Sequence, residues 1–231
     1  MKMKPLQIYN RLYRAFGPQR WWPTQASVKR KVPTTSRDPD RIHKYLNQGV
    51  GTKSVKQFEI CVGAILTQNT AWTNVEKAIA NLLSAGAMSP AEILSTPTLR
   101  LARLIRPAGY FRQKAKKLKI FSRWVLDEFN GDFERMKRVP LPKLRARLLS
   151  VWGIGPETAD SILLYALGKP SFVIDTYTRR LCDCFSITFS DYHEYQSFFV
   201  SRLPKSVKLY NEYHALIVAW GKVLSKDPKR A

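Results

Sequence analysis

Apolar residues return at helical spacing along most of this chain. Leu6, Ile8, Leu12, Tyr13 and Phe16 form a first such pattern, which stops at Gly17-Pro18. From Phe58 onward the helical period is continuous. Phe58, Val62, Ile65 and Leu66 line one face, and Val75, Ile79 and Leu82 another. Ser89-Pro90-Ala91-Glu92 reads as a helix start: a capping hydroxyl, a ring suited to the first turn, and an acid beside the positive helix end. Ala115, Leu118, Phe121 and Val125 mark a further amphipathic helix, with Arg112, Lys114, Lys116, Lys117, Lys119 and Arg123 assigned to its polar face. Leu144, Leu148 and Leu149 begin another, Ile162, Leu163 and Ala166 lie on the next, and Tyr213, Leu216, Ile217 and Trp220 form the last. Strand-like alternation is confined to scraps such as Ser171-Phe172-Val173-Ile174. The pattern predicts an all-α fold.

Composition narrows the class of partner. With 231 residues, 45% of them hydrophobic and 12% aromatic, the chain can bury a core as one large domain or two small ones. It carries 39 Lys and Arg against 17 Asp and Glu, a formal net charge of +22. A polyphosphate is the first acidic partner to consider, because each neutralised phosphate releases a counterion. An anionic membrane surface fits less well, since the bases are spread along the chain rather than gathered beside one amphipathic anchor. The longest apolar runs, such as Ile60 to Leu66, are too short to span a bilayer, and no apolar signal segment follows Met1-Lys2-Met3-Lys4. Cys61, Cys182 and Cys184 form neither a disulfide framework nor a metal-ligand set. These features predict a soluble cytoplasmic protein with no metal-ligand set; if the acidic partner is DNA, it is expected at the nucleoid, as a monomer.

Two stretches fall outside the helical pattern. Trp21-Trp22-Pro23 is an aromatic pair fixed by a proline. Residues Thr24 to Lys56 read as a long polar connection, with Lys29, Arg30, Lys31, Arg37, Arg41, Lys44, Lys53 and Lys56 against Asp38 and Asp40. A solvated linker and a DNA-contacting loop both account for it.

The stretch richest in chemistry is Leu148-Leu149-Ser150-Val151-Trp152-Gly153-Ile154-Gly155-Pro156-Glu157-Thr158-Ala159-Asp160. Two helices are interrupted by Gly153-Ile154-Gly155, whose glycines permit positive φ and close backbone approach. Ile154 can pin the turn between the helices. Amides opening the second helix then face outward at its positive end, a site for a phosphate oxygen that positions DNA without reading its sequence. A simple helix-helix turn is the plainer alternative, and the flanking helices and the +22 charge favour DNA. Fifteen residues beyond Asp160 stands Asp175, which follows an apolar run and opens a helix. On position alone it is an N-cap.

Taken together, the hairpin and the acid after it resemble the helix-hairpin-helix DNA glycosylase superfamily, named for a Gly/Pro-rich loop followed by an aspartate. The resemblance covers most of the chain. Phe58 to Thr70 is similar to the family's first core helix and the turn after it, and Pro107-Ala108-Gly109-Tyr110-Phe111-Arg112-Gln113-Lys114-Ala115 to its Gly-aromatic-x-x-Lys-Ala segment. Tyr213-His214-Ala215-Leu216-Ile217-Val218, with Gly221 and Lys222, is similar to its last helix. The resemblance implies base excision from double-stranded DNA containing a damaged base. Asp175 would be the catalytic carboxylate, stabilising an oxocarbenium-like transition state beneath the sugar or activating water. Gly153, Ile154, Gly155, Thr158 and Arg179 would contact DNA. Gln68 matches the residue that fills the space left by a flipped nucleotide; a surface polar group at a helix end is the competing reading.

Departures from the family pattern set the branch. Bifunctional members carry a lysine in the hairpin as an amine nucleophile, and that position here is Glu157, which implies a glycosylase without β-lyase activity. Endonuclease III-like members close with a four-cysteine loop for a 4Fe–4S cluster, whereas the residues after Lys222 contain no cysteine, so no iron–sulfur cofactor is expected. The adenine-mismatch branch carries a glutamate where Gly63 stands here. The aromatic residues most resemble those of the endonuclease III-related 3-methyladenine glycosylases, in which Trp21, Trp22, Pro23 and Trp72 would line a base pocket, with Lys222 beside it. A cationic alkylated purine suits a tryptophan face, although ordinary core tryptophans give the same composition. The expected architecture is a six-helix domain over residues 58–168 carrying the hairpin. A second helical domain, from residues 1–57 and 169–231, would carry Asp175, with the active site in the cleft between the two. A uracil, thymine-mismatch or oxidised-base glycosylase, with or without lyase activity from another lysine, is the rival enzyme. A non-catalytic hairpin module is the rival binding protein.

Overall fold

The computed structural model describes residues 3–19, 21–22 and 52–226. Pro23 and most of the polar connection from Thr24 to Lys56 therefore lie outside the described residues. The described chain is all-α, with twelve α-helices and no strand. It divides into two compact units, one comprising residues 1–22 and 168–231 and the other residues 23–167.

The unit of residues 23–167 contains α2 (Thr52–Leu66), α3 (Trp72–Ser84), α4 (Pro90–Ser95), α5 (Thr98–Leu104), α6 (Phe111–Phe129), α7 (Phe133–Arg138), α8 (Leu141–Leu149) and α9 (Pro156–Ser161). Where six helices are expected, there are eight α-helical segments among the described residues, four of them only six or seven residues long. The first of them also starts earlier than expected, because Thr52 to Lys56 is helical rather than part of the connection. The N-cap read at Ser89 forms: its hydroxyl accepts the Glu92 amide at 3.3 Å, ahead of Pro90 in the first turn.

Two helices are buried more completely than their periodicity indicates. On α2, every residue from Gln57 to Leu66 is buried, not one face alone. After α9 the chain continues as a π-helical turn, Ile162–Ala166, whose five residues are all buried and which packs on α2. Lys114 is the clearest correction. Assigned to the polar face of α6, it is 2% exposed, and its ammonium donates to Leu66 O and Ala108 O, both at 2.8 Å. A lysine can be buried where backbone acceptors meet its donors. These two carbonyls belong to the last residue of α2 and to a 3-10 turn, Arg106–Ala108.

The other unit contains α1 (Pro5–Phe16), α10 (Thr176–Cys184), α11 (Tyr192–Val200) and α12 (Val207–Lys226), with α1 and α10 both packed on α12. Its core is aromatic. Phe172 stacks on Phe199 at 4.4 Å and meets Tyr210 and Tyr213 edge-on, and the Tyr213 hydroxyl donates to Pro5 O at 2.8 Å, tying α1 to α12. The strand-like scrap Ser171–Ile174 is buried but forms no regular element and pairs with no strand among the described residues. Two of its backbone groups are met by side chains, Gln196 Nε2 donating to Phe172 O at 2.7 Å and the Ile174 amide donating to the Tyr192 hydroxyl at 3.2 Å, while the Ser171 amide donates to Lys169 O at 2.8 Å.

Candidate active site and nucleic-acid interface

The hairpin forms between α8 and α9. Gly153 adopts φ +87°, a left-handed conformation that favours glycine. A Cβ there would also sit 2.7 Å from Lys117 Cγ, so the lysine stem of α6 packs directly beneath the turn. Ile154 is 4% exposed, and its amide donates to Val151 O at 3.0 Å, which holds the turn closed. Gly155 differs from what the sequence implies, because its φ is −88° and a Cβ would meet nothing within 4 Å. No strain in this chain requires glycine there; what its lack of a side chain leaves open is the approach to its own amide. Gly155 supplies no side-chain cap to α9, and Pro156 opens that helix without an N–H.

Thr158 and Gln68 are engaged with each other. Thr158 is 6% exposed and its hydroxyl accepts from Gln68 Nε2 at 3.0 Å, while the same amide group donates to Gly153 O at 3.1 Å. The Lys117 ammonium in turn donates to Gln68 Oε1. Gln68, in the turn after α2, is thus held against the hairpin, and the Thr158 side chain points inward. Beneath the turn, Arg145 of α8 grips the fully buried Asp160 of α9 in a two-point ion pair, Nε to Oδ1 at 2.8 Å and Nη2 to Oδ2 at 3.0 Å. Glu157 is exposed in the first turn of α9.

Sequence reasoning missed three residues near this hairpin. Lys117 is one. Trp152, 48% exposed, carries the Lys116 ammonium 4.6 Å from its ring centroid. Tyr110, 68% exposed, caps α6 in a left-handed conformation at φ +43°, and the preceding Gly109 lies beside Thr70 of the Gln68 turn. The Gly-aromatic pair in the sequence was the available signal for Tyr110. Trp72, half-buried, opens α3 four residues beyond Gln68.

A second group of expected site residues gathers within the unit of residues 1–22 and 168–231. Asp175 caps α10: its Oδ1 accepts from the Thr178 amide at 2.7 Å and from the Thr178 hydroxyl at 2.8 Å. Its Oδ2 lies 3.4 Å from Nε2 of His214 on α12. Burial pushes the Asp175 carboxyl up, but the His214 charge and contact and the Thr178 donors outweigh it, so the group titrates below the usual aspartate value. The imidazole also meets Trp21, with ring centroids 6.0 Å apart, and Trp21 meets Trp22 at 5.5 Å. Lys222, exposed one helical face along α12, places its ammonium 6.0 Å from the Trp21 centroid. Arg179 is not part of this group; its guanidinium lies over the buried Tyr195 ring at 4.9 Å. His214 was noted in sequence only as part of a helix, and nothing local marks it, because its partners come from α10 and from residue 21.

An all-α fold with a glycine hairpin and a helix-capping aspartate beyond it is the arrangement that the helix-hairpin-helix resemblance implies. The chain belongs to the HhH-GPD superfamily of base excision DNA repair proteins, whose family pattern matches residues 62–204. It is 38% identical over 216 residues to a Methanocaldococcus jannaschii protein named as a DNA repair glycosylase, covering 92% of this chain and 84% of that one. It is 28% identical to the endonuclease III of Thermotoga maritima over 129 residues, 56% of each protein. Among solved structures, that of an H. pylori 3-methyladenine DNA glycosylase (MagIII) bound to 1,N6-ethenoadenine is 28% identical with a TM-score of 0.74, covering 96% of this chain and 98% of that one. A trapped endonuclease III–DNA intermediate shares the fold at a TM-score of 0.68 and 18% identity. No helix among the described residues is long and apolar enough to cross a membrane, and no group of three or more His, Cys, Asp or Glu among them could hold a metal ion.

Proposed function

We propose that this chain is a monofunctional DNA glycosylase that removes alkylated purines, such as 3-methyladenine, from double-stranded DNA. The observation that carries the reading is the run Trp22–Trp21–His214–Asp175, in which Trp21, paired with Trp22, and the Asp175 carboxylate have one imidazole as common neighbour. An N3- or N7-alkylated purine is cationic, which favours a tryptophan face, and it is already a good leaving group. The remaining demand is for an anion near the sugar as positive charge develops there, and the low pKa of Asp175 keeps one available at neutral pH. Extruding the nucleotide costs a few kcal/mol, least where the base is damaged. The hairpin would hold the backbone while Gln68, beside it, fills the vacated space. The 3-methyladenine glycosylase of H. pylori supports this choice of lesion by its similarity over nearly the whole chain.

Two further points belong to the same reading. Glu157 cannot form a Schiff base, so abasic DNA treated with borohydride should give no efficient covalent trapping. A 4Fe–4S cluster needs four thiolates, and this chain has three cysteines, of which Cys61 and Cys182 are buried with their thiol pKa values raised by desolvation. The donor set does not fit a cluster, and purified protein should contain no stoichiometric iron. The direct test is a panel of duplexes containing 3-methyladenine, 7-methylguanine, uracil, a thymine:guanine mismatch and 8-oxoguanine, scored for free base. Release confined to uracil, thymine or 8-oxoguanine would overturn the proposal.

A further inference from the structure

We infer that His214 is a positioning residue for Asp175: it holds the second carboxylate oxygen in place and ties the carboxylate to the Trp21 ring. The inference rests on the proposed role of Asp175 and deepens it. One oxygen, Oδ1, is committed to the helix cap through two hydrogen bonds from Thr178. Both of those bonds go to Oδ1 from α10 itself, whereas the contact to Oδ2 comes from a different helix, α12. The second oxygen lies 3.4 Å from the imidazole Nε2, on a side chain that is itself only 6% exposed. Burial on both sides keeps this contact largely unscreened. The same ring neighbours Trp21, with centroids 6.0 Å apart, so one imidazole lies beside both the carboxylate and the aromatic residue.

No other charged partner is available to Asp175 among the described residues. Of the titratable groups on α12, which packs on α10, Tyr213 turns to Pro5 O and lies near Cys182, while Lys222 is exposed and lies toward Trp21. On α10 itself the contacts come from Thr178, and Arg179 lies over Tyr195. Removing the imidazole therefore leaves burial opposed only by the Thr178 donors. The carboxyl must then hold its proton to higher pH, and base release acquires an acid limb that the native protein lacks in the same window.

The test compares the pH dependence of kcat for base release from a 3-methyladenine duplex, between about pH 5 and pH 8, in wild type, His214→Leu and Asp175→Asn. Wild type should be nearly flat. His214→Leu should show an acid limb at higher pH than wild type and a kcat lowered roughly 10- to 100-fold, by analogy with the loss of a group that orients a metal ligand. Affinity for undamaged duplex should be unchanged. His214→Gln, which keeps a polar group but no charge, should raise the limb by less and provides the reading if the leucine variant does not fold. A flat profile in both His214 variants, with Asp175→Asn inactive, overturns this inference alone. Base release by Asp175→Asn overturns the reading on which it rests.

Discussion

At Lys114, an ammonium group with almost no exposure donates to carbonyls from two separate turns of the chain. Desolvation, helped by the neighbouring charge of Lys117, lowers its pKa from 10.5 to about 8. The unfolded chain keeps that proton up to about pH 10.5, so unfolding takes up a proton above pH 8 and this group's contribution to stability grows as pH rises from about 8 to about 10.5. Lys114→Met should cost about 2–4 kcal/mol at neutral pH by stranding two buried acceptors. Denaturant unfolding at pH 7.5 and pH 10 should show that deficit widening with pH. At Asp175 the corresponding prediction concerns catalysis: Asp175→Asn should abolish base release while leaving duplex affinity largely intact, as measured by free-base assay and gel shift. The candidate carboxylate could be read in the sequence, because an acid after an apolar run has a local signature. The buried register of Lys114 was legible, since it is periodic with Leu118, Phe121 and Val125, but the acceptors that let a lysine sit there were not, because Leu66 lies 48 residues away along the chain.

Within the hairpin, the two glycines should behave differently although the sequence presents them as a pair. Gly153→Ala forces a left-handed φ on a residue with a Cβ and pushes against the Lys117 stem, which should cost about 1–2 kcal/mol of stability. Gly155→Ala meets no atom of the protein and should fold normally. If its backbone is where DNA approaches, duplex affinity should nevertheless fall, and thermal melts run beside binding curves separate the two effects. On α12, Gly221 faces the Tyr177 ring of α10, with which any Cβ there would collide. Gly221→Ala should lose about 1–3 kcal/mol through overpacking, and adding Tyr177→Ala should recover much of that loss, a non-additivity expected of touching residues. Neither distinction is visible in sequence, where a glycine that needs positive φ, one that clears a neighbouring helix and one that merely leaves space are the same letter.

For the whole molecule, the +22 charge sets how binding responds to salt. Duplex affinity should fall with a log–log slope of about −0.9 for each phosphate neutralised. Lys116→Ala, which removes an ammonium beside the exposed Trp152 of the hairpin, should make that slope shallower by about one unit. A slope unchanged in this variant would show that the Lys116–Trp152 pair lies away from the backbone contacts.

The periodicity of apolar residues determined that the fold is helical, because burying a stripe of side chains at 3.6-residue spacing needs no knowledge of what covers it. Local chemistry likewise determined the hairpin, the cap at Ser89 and the acid at Asp175, each of which satisfies its own neighbours within a few residues. What only the tertiary structure decided are the groups whose partners arrive from elsewhere in the chain. Gln68 reaches the hairpin across 85 residues, and Lys114 reaches the end of α2 across 48. Likewise, α12 brings His214 against Asp175, and residue 21 meets it from the other end of the sequence. Burial, pKa and side-chain orientation are properties of such assembled surroundings, and a single residue in sequence carries none of them.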